Sequence, residues 1–387
     1  MTTLEILIQK LCPDGVEYKP IKELCKTVSP KGKIKSNKYV DCGKYPVIDQ
    51  GQDYIGGYTN EEVAFPVSEY VIFGDHTCVV KFVDFPFAQG ADGVKVLSAQ
   101  KNILPKFLYY CMSNIRMVVD YSRHWSKMKV ENIPVPPLPV QAEIVRILDN
   151  FTELTAELTA ELTARKKQYE YYQQALLTFG ESVCLMKLEQ ICSVITDGSH
   201  ISPKGTTVGF LMPSVKDMRE HGFDYSECKR IGKEDYEALV RNSCCPQKND
   251  VLIAKDGALM LKHAFVFQED FPIVLLSSIA ILRPKTDLIM PQFLAHFFRK
   301  RDFKETVIHQ YSSKGGVPRI ILKNFKKVEI PVPPLAEQER IVSILDRFDT
   351  LCNDISEGLP AEIAARQKQY EYYRDKLLSF KRAGDSE

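Results

Sequence analysis

Two well-separated stretches of the chain carry apolar residues at intervals of three and four, or sums of them. The first runs Ile144, Leu148, Phe151, Leu158, Leu162, Tyr169, Tyr172, Leu176 and Phe179. The second runs Ile341, Leu345, Phe348, Ile355, Ile363, Tyr370, Tyr373, Leu377 and Phe380. With Thr155 and Arg165 filling gaps, this spacing predicts a long helix in each stretch whose heptad-like seam requires a partner helix. Both stretches follow a PVPP stop, which favours extended backbone and cannot sit inside a helix. They are also copies of one another: IPVPPLPVQAEIVRILDNF with RKKQYEYYQQALLTF, and IPVPPLAEQERIVSILDRF with RQKQYEYYRDKLLSF. Ile133 matches Ile330 and Phe151 matches Phe348 at a constant offset, whereas Tyr169 and Tyr370 lie four residues further apart, so the second copy is one four-residue unit longer. If a two-fold axis relates the copies, the helices pair antiparallel. About 40 residues at 1.5 Å each give a rod on the order of 60 Å, longer than one turn of B-DNA at about 34 Å. Glu357-Gly358-Leu359-Pro360 places two helix breakers in the second helix and predicts a kink or restart there.

The sequence between the copies is itself faintly duplicated. Val16 to Cys25 resembles Val183 to Cys192, LPKFL at 104 resembles MPQFL at 290, and Phe85-Pro86 matches Phe271-Pro272. Apolar runs at Tyr70–Phe73, Val79–Val83, Val251–Ala254 and Ile279–Leu282 predict strands, and LPKFL and MPQFL open short helices. The expected organisation is a lobe at 1–132, a long helix at 133–182, a second lobe at 183–329 and a second long helix at 330–387. The expected fold is α+β: two globular lobes separated by two long antiparallel helices forming a coiled coil, pseudo-two-fold and quasi-circular. By that symmetry the tail after Phe380 lies beside Val16, as Phe179 leads into Val183.

Length and composition narrow the chemistry. At 387 residues the chain holds two or three domains, and a net charge of +1 means that any basic surface is local. Eleven cysteines without a CxxC pair read as reduced thiols in a cytoplasmic protein, and adjacent Cys244 and Cys245 suit neither a zinc cage nor an ordinary disulfide. No stretch approaches the roughly 20 apolar residues of a membrane span. There is no Asn/Asp-Pro-Pro-aromatic motif, no glycine-rich cofactor loop, no GxxxxGK[ST], HExxH or GxSxG. No catalytic residue, metal ligand or cofactor site is expected on this chain.

What the lobes do carry is concentrated cation. Lys26 to Lys38 holds five lysines and no acid, with Lys31, Lys33, Lys35 and Lys38 among loop-forming residues. Beside it in sequence, Tyr45 to Asn60 is rich in residue types that read base edges, with Gln50 and Gln52 the candidates. Before the first PVPP lie Arg123, His124, Lys127 and Lys129, together with Trp125, which suits either lobe core or the DNA backbone. At the corresponding place before the second lie Lys314, Arg319 and Lys323. Matched basic segments at matched places point to DNA, with a solvated charged loop as the alternative. In the first long helix Thr155 to Leu158 and Thr159 to Leu162 repeat as TAEL, a spacer in which each four-residue unit adds about 6 Å and turns the remainder of the helix by roughly 40°. Tyr171 and Tyr372 point off the seam at equivalent places and suit two identical docking sites for a partner protein.

The IPVPPLxxQxxIVxILDxF unit, the KQYEYY…LLxF ending, the TAEL repeat and the two-lobed duplication resemble the specificity subunit of type I restriction-modification systems, in particular the branch bearing TAEL repeats. The resemblance implies that each lobe is a target recognition domain for one half of an asymmetric bipartite site in double-stranded DNA, and that the helices set the spacer. It further implies a non-catalytic subunit. Its partners would be two modification subunits, which bring S-adenosylmethionine, and restriction subunits, which bring ATP, Mg and translocation. The competing reading from the residues is a two-lobed coiled-coil adaptor that holds two protein ligands without DNA.

Overall fold

A computed structural model describes residues 2–90, 93–120, 122–313, 317–353 and 358–384. The chain divides into two compact units, Met1–Thr159 with Glu362–Glu387, and Ala160–Ala361. In the first, an antiparallel sheet has the strand order Cys25–Val28, Val94–Ala99, Tyr70–Gly74, Val80–Val83. In the second, Cys192–Asp197, Ile279–Pro284, Val251–Ala254 and Ala264–Val266 follow the same order. All of Tyr70–Gly74 and Val251–Ala254 is buried, because a helix packs on one face of these strands and more of the lobe covers the other. Those helices, Pro105–Asn114 and Pro291–Arg299, begin at the prolines of LPKFL and MPQFL, where a missing N–H costs nothing.

The faint similarity of Val16–Cys25 to Val183–Cys192 becomes identical architecture. Each segment makes a three-residue strand, Tyr18–Pro20 or Leu185–Lys187, then one turn of helix, then the first strand of the sheet. Each short strand pairs antiparallel with the residues leading into PVPP, Lys19 opposite Ile133 and Met186 opposite Ile330. Cys25 and Cys192 sit at equivalent buried places, and burial pushes both thiols up to about 12. No helix of the described residues is long and apolar enough to cross a membrane.

The first long helix, Leu138–Leu176, is uninterrupted. The second is two helices, Leu335–Asn353 and Leu359–Leu377, with Gly358 before the restart and Pro360 in its first turn. The expected break is therefore a restart, and Ile355 and Glu357 lie outside the described residues. In the first unit the Phe151 ring stacks on Tyr373 at 5.5 Å, and in the second the matching Phe348 stacks on Tyr172 at 5.3 Å. Within the second unit Tyr172 meets Phe348 while Lys166, earlier on the helix, faces Cys352, so the two segments run antiparallel. At the helix ends the seam shifts by one residue: Leu177 and Leu378 are buried and Leu176 and Leu377 only half so, because the helix stops there and the next side chain turns inward.

The tail closes on the first unit as expected. Val16 N–H donates to Lys381 O at 2.9 Å, and Ala383 N–H donates to Val16 O at 3.0 Å. The Tyr18 hydroxyl donates to Phe380 O at 3.0 Å and accepts from Phe380 N at 3.2 Å, with Arg382 over its ring at 4.5 Å. Gly15, at φ +90, is required here because a Cβ would lie 2.6 Å from Lys381 O. Replacing Tyr18 by Phe should cost about 1–2 kcal/mol in urea unfolding and speed amide exchange at Val16 and Ala383. Unchanged exchange at those amides would show that this contact does not hold the tail.

Candidate nucleic-acid interface

Each lobe is fastened to its long helix by side chains repeated in both copies. Gln141, one turn past the prolines, is fully buried; its Oε1 accepts from Leu104 N at 2.8 Å, and its Nε2 donates to Asn102 O at 3.1 Å and Pro136 O at 2.7 Å. Gln338 repeats this, accepting from Met290 N at 2.8 Å and donating to Leu288 O at 2.9 Å and Pro333 O at 2.8 Å. Leu104 and Met290 are the N-caps of the lobe helices, so each glutamine satisfies an orphan at a helix start that lacks a side-chain cap. Two turns on, the aspartate of ILDxF grips the same lobe helix. Asp149 accepts from Tyr110 Oη at 2.5 Å and Lys106 Nζ at 2.8 Å, and Asp346 meets His296 Nε2 at 2.6 Å. Burial, reinforced by the Asp149 carboxylate, holds the Tyr110 phenol far above its usual range.

In the first unit the basic loop lies beside a second, mixed sheet ordered Lys33–Ile34, Ala88–Gly90, Tyr45–Ile48, Gly57–Thr59. Lys31, Lys33 and Lys35 are exposed, and Lys38, also exposed, pairs with Glu61 at 3.1 Å. The loop after Ile48 is organised from beneath by buried Lys81, whose Nζ donates to Asp49 O at 2.9 Å and Asp53 O at 2.6 Å. Burial pulls the Lys81 pKa down, against the Asp49 carboxylate 3.7 Å away. Gln52 is exposed, while half-buried Gln50 accepts from His76 N at 3.2 Å through Oε1 and from Thr77 Oγ1 at 2.6 Å through its carbonyl. Asp75 in turn accepts from His124 N at 2.8 Å and Trp125 N at 2.7 Å. Three segments distant in sequence, around Gln50, His76 and Arg123, are thus hydrogen-bonded into one surface.

Arg123 and Lys127 stand exposed on that surface, with Lys127 3.6 Å from Asp120, and Lys129 is half-buried. His124 requires a correction: it is fully buried, its Nε2 3.2 Å from Asp120 O, and cannot reach a nucleic acid from there. The cause is the backbone bond to Asp75, which turns this residue inward. Trp125 packs on Phe73 at 5.7 Å and belongs to the margin of the core.

The second unit places its basic segment the same way. Arg319 bridges Asp256, Gly257 N donates to Pro318 O at 2.8 Å, and Ile320 N donates to Lys255 O at 3.0 Å. Arg319 and Lys323 are exposed; Lys314 lies outside the described residues. Beneath them buried Lys255 faces buried Asp197 at 3.3 Å. Composition revealed neither this pair nor Lys81, since a lysine that organises a loop reads in sequence like any other.

In the spacer Leu158 is buried, Thr155 and Leu162 are half-buried and Thr159 is exposed. The Thr155 hydroxyl donates to Phe151 O and that of Thr159 to Thr155 O, both at 2.8 Å, so the threonines are satisfied within a regular helix. Tyr171 and Tyr372 are 68% and 63% exposed, each edge-on to the tyrosine next to it in the chain. Glu220, His221 and Asp349 gather within 4.8 Å, but Arg299 holds Asp349 at 2.6 Å and Asn353 bonds both carboxylates. That group serves as a tie between the 219–222 turn and the helix Leu335–Asn353.

The family model described as type I restriction modification DNA specificity domain matches residues 13–165 and 186–365. The specificity subunit of the type I restriction enzyme EcoR124I/EcoR124II of Escherichia coli is 35% identical, the match covering 98% of each chain. A putative type I specificity subunit of Haemophilus influenzae is 32% identical over 94% of this chain and 96% of its own. In fold, the chain is similar to the crystal structure of a type I restriction-modification S subunit from M. genitalium, with a TM-score of 0.60 at 16% identity over 94% of this chain and 96% of that one.

Gln141→Ala leaves the Leu104 N–H and the Asn102 and Pro136 carbonyls unpaired in a buried site, and Gln338→Ala does the same in the other unit. Each should lower stability by about 2–4 kcal/mol in urea unfolding. A loss below about 1 kcal/mol in both would remove the glutamines from their anchoring role.

Proposed function

The chain belongs to the type I restriction-modification DNA specificity family, and from that premise we propose that it reads a bipartite, asymmetric DNA site, one half per lobe, with the long helices setting the spacer. Its role is sequence recognition, and specificity subunits are non-catalytic members of their complexes. The observation that carries the bipartite reading is the repetition of one anchoring scheme. Gln141 and Asp149 seat one lobe as Gln338 and Asp346 seat the other, each beside an exposed basic segment ending in PVPP. A reader made twice on copied supports is suited to two half-sites rather than one continuous run of bases. The adaptor reading, in which the lobes hold proteins and never touch DNA, is not favoured by membership of a DNA specificity family.

The finer parts of the reading concern partners. The exposed Tyr171 and Tyr372 dock two modification subunits, one at each copy of YEYY, and restriction subunits complete the complex. S-adenosylmethionine, ATP and Mg are used by those partners and not by this chain, and the assembly works in the cytoplasm. In this reading the lysines Lys31, Lys33, Lys35, Lys38, Lys127, Lys129 and Lys323 supply phosphate attraction, and Gln50, Gln52, Arg123 and Arg319 discriminate bases. In this reading the chain is of the TAEL-bearing branch, and its two TAEL units, Thr155–Leu162, act as a ruler.

Selection from random duplexes by the chain assembled with its modification subunits should enrich a split motif. Deleting Thr155–Leu158, which removes about 6 Å of helix, should shorten the spacer by on the order of one to two base pairs while leaving both half-sites unchanged. A change in half-site sequence would defeat the ruler, and the absence of any enriched motif would defeat the recognition reading.

A further inference from the structure

The basic loop of the first unit has a counterpart in the second that carries almost no basic signature. In the first unit, the chain leaves the strand Cys25–Val28, passes Lys31, and pairs Lys33 in parallel with Gln89. In the second it leaves Cys192–Asp197 and pairs Ser199 in parallel with Leu276. The next elements match too. Val47 pairs in parallel with Ala88 and Tyr45 antiparallel with Thr59, while Leu211 pairs in parallel with Ile273 and Phe210 antiparallel with Ile231. The second sheet of the first lobe is therefore present in the second lobe in reduced form. Gly198–Lys204 occupies the topological place of Lys31–Lys38.

The local chemistry is that of an exposed, oriented loop. His200 is three-quarters exposed, its Nε2 3.5 Å from Asp197 Oδ1, while the other oxygen of that buried carboxylate faces Lys255 Nζ at 3.3 Å. Further along, Lys229 Nζ donates to Ser202 Oγ at 2.7 Å and also to Pro203 O, fixing the loop from its far side. Ile201, 77% exposed, projects between these two fastenings, and Lys204 is exposed just beyond. The base of the loop is continuous with the Arg319 segment through Lys255, which accepts from Ile320 N through its carbonyl.

Resting on the recognition role given above, we infer that Gly198–Lys204 is a DNA-contacting loop of the second lobe. In it His200 donates to a base edge or phosphate, Lys204 attracts the backbone, and Asp197 and Lys255 act as positioning residues. The loop reads duplex DNA with one imidazole and one lysine where its counterpart uses several lysines, which is why composition did not reveal it.

The test is made on the complex with modification subunits, using duplexes that carry the split motif selected by the wild type. The double variant His200→Ala/Lys204→Ala should bind on the order of tenfold more weakly and relax base preference in one half-site only. That half should be the one left intact when Lys33→Ala/Lys35→Ala weakens the other. Since both positions are exposed, the thermal midpoint should not move. In a second experiment, p-benzoylphenylalanine at position 201 should crosslink to that same half-site. Binding within twofold of wild type with unchanged preferences, or a crosslink confined to the other half-site, overturns the assignment while leaving recognition intact. A wild-type complex that selects no motif overturns both.

Discussion

Two buried amides determine how this molecule is put together. Gln141 and Gln338 each bridge the start of a long helix, the PVPP turn before it and the N-terminus of a lobe helix, using both ends of one side chain. A buried amide with three partners tolerates little displacement, because each lost bond leaves a polar group in a dry interior. Asp149 and Asp346 add a second fastening two turns along the same helix. Two fastenings on one helix face fix both position and rotation, so each lobe takes its orientation from the helix beneath it. Any change in the phase of that helix face is then carried into the placement of the lobe it holds.

Duplication explains why the tail binds beside Val16 in the first unit. Between Phe179 and Val183 the chain passes covalently from long helix to lobe. At the other end Val16 and Tyr18 bind residues 380–383 through hydrogen bonds and a cation–π contact, replacing the missing connection. Within this frame the lobes differ where their loops differ. Lys81 ties down a short loop in the first, whereas the second inserts the longer 212–229 segment and fastens its turn to Asp349 and Asn353. The supports are alike and the loops they carry are not.

Much of the scaffold was legible because helical period and internal copying are strong signals. The seam residues Ile144, Leu148, Ile341 and Leu345 are fully buried, the breakers Gly358 and Pro360 mark a restart, and the buried strands were visible as short apolar runs. The sites were less so. His124 sits in a basic segment but is turned inward by backbone pairing that no composition reveals. Gln141 and Gln338 were visible as repeated letters, and a polar residue recurring next to a seam was the available sign of an anchor. Register within the lobes, which equates Ser199 with Lys33, depends on parallel bridges between residues far apart in sequence and has no local signature.

The two lobes are independent readers, each seated on its own copy of one repeated support. Exchanging residues 1–132 for the corresponding lobe of a relative, and mapping DNA methylation by the complex with the proposed modification subunits, tests that independence. One half-site should change while the other half-site and the spacer stay as they were. Simultaneous change of both half-sites, in a chimera that still assembles and methylates, would contradict it.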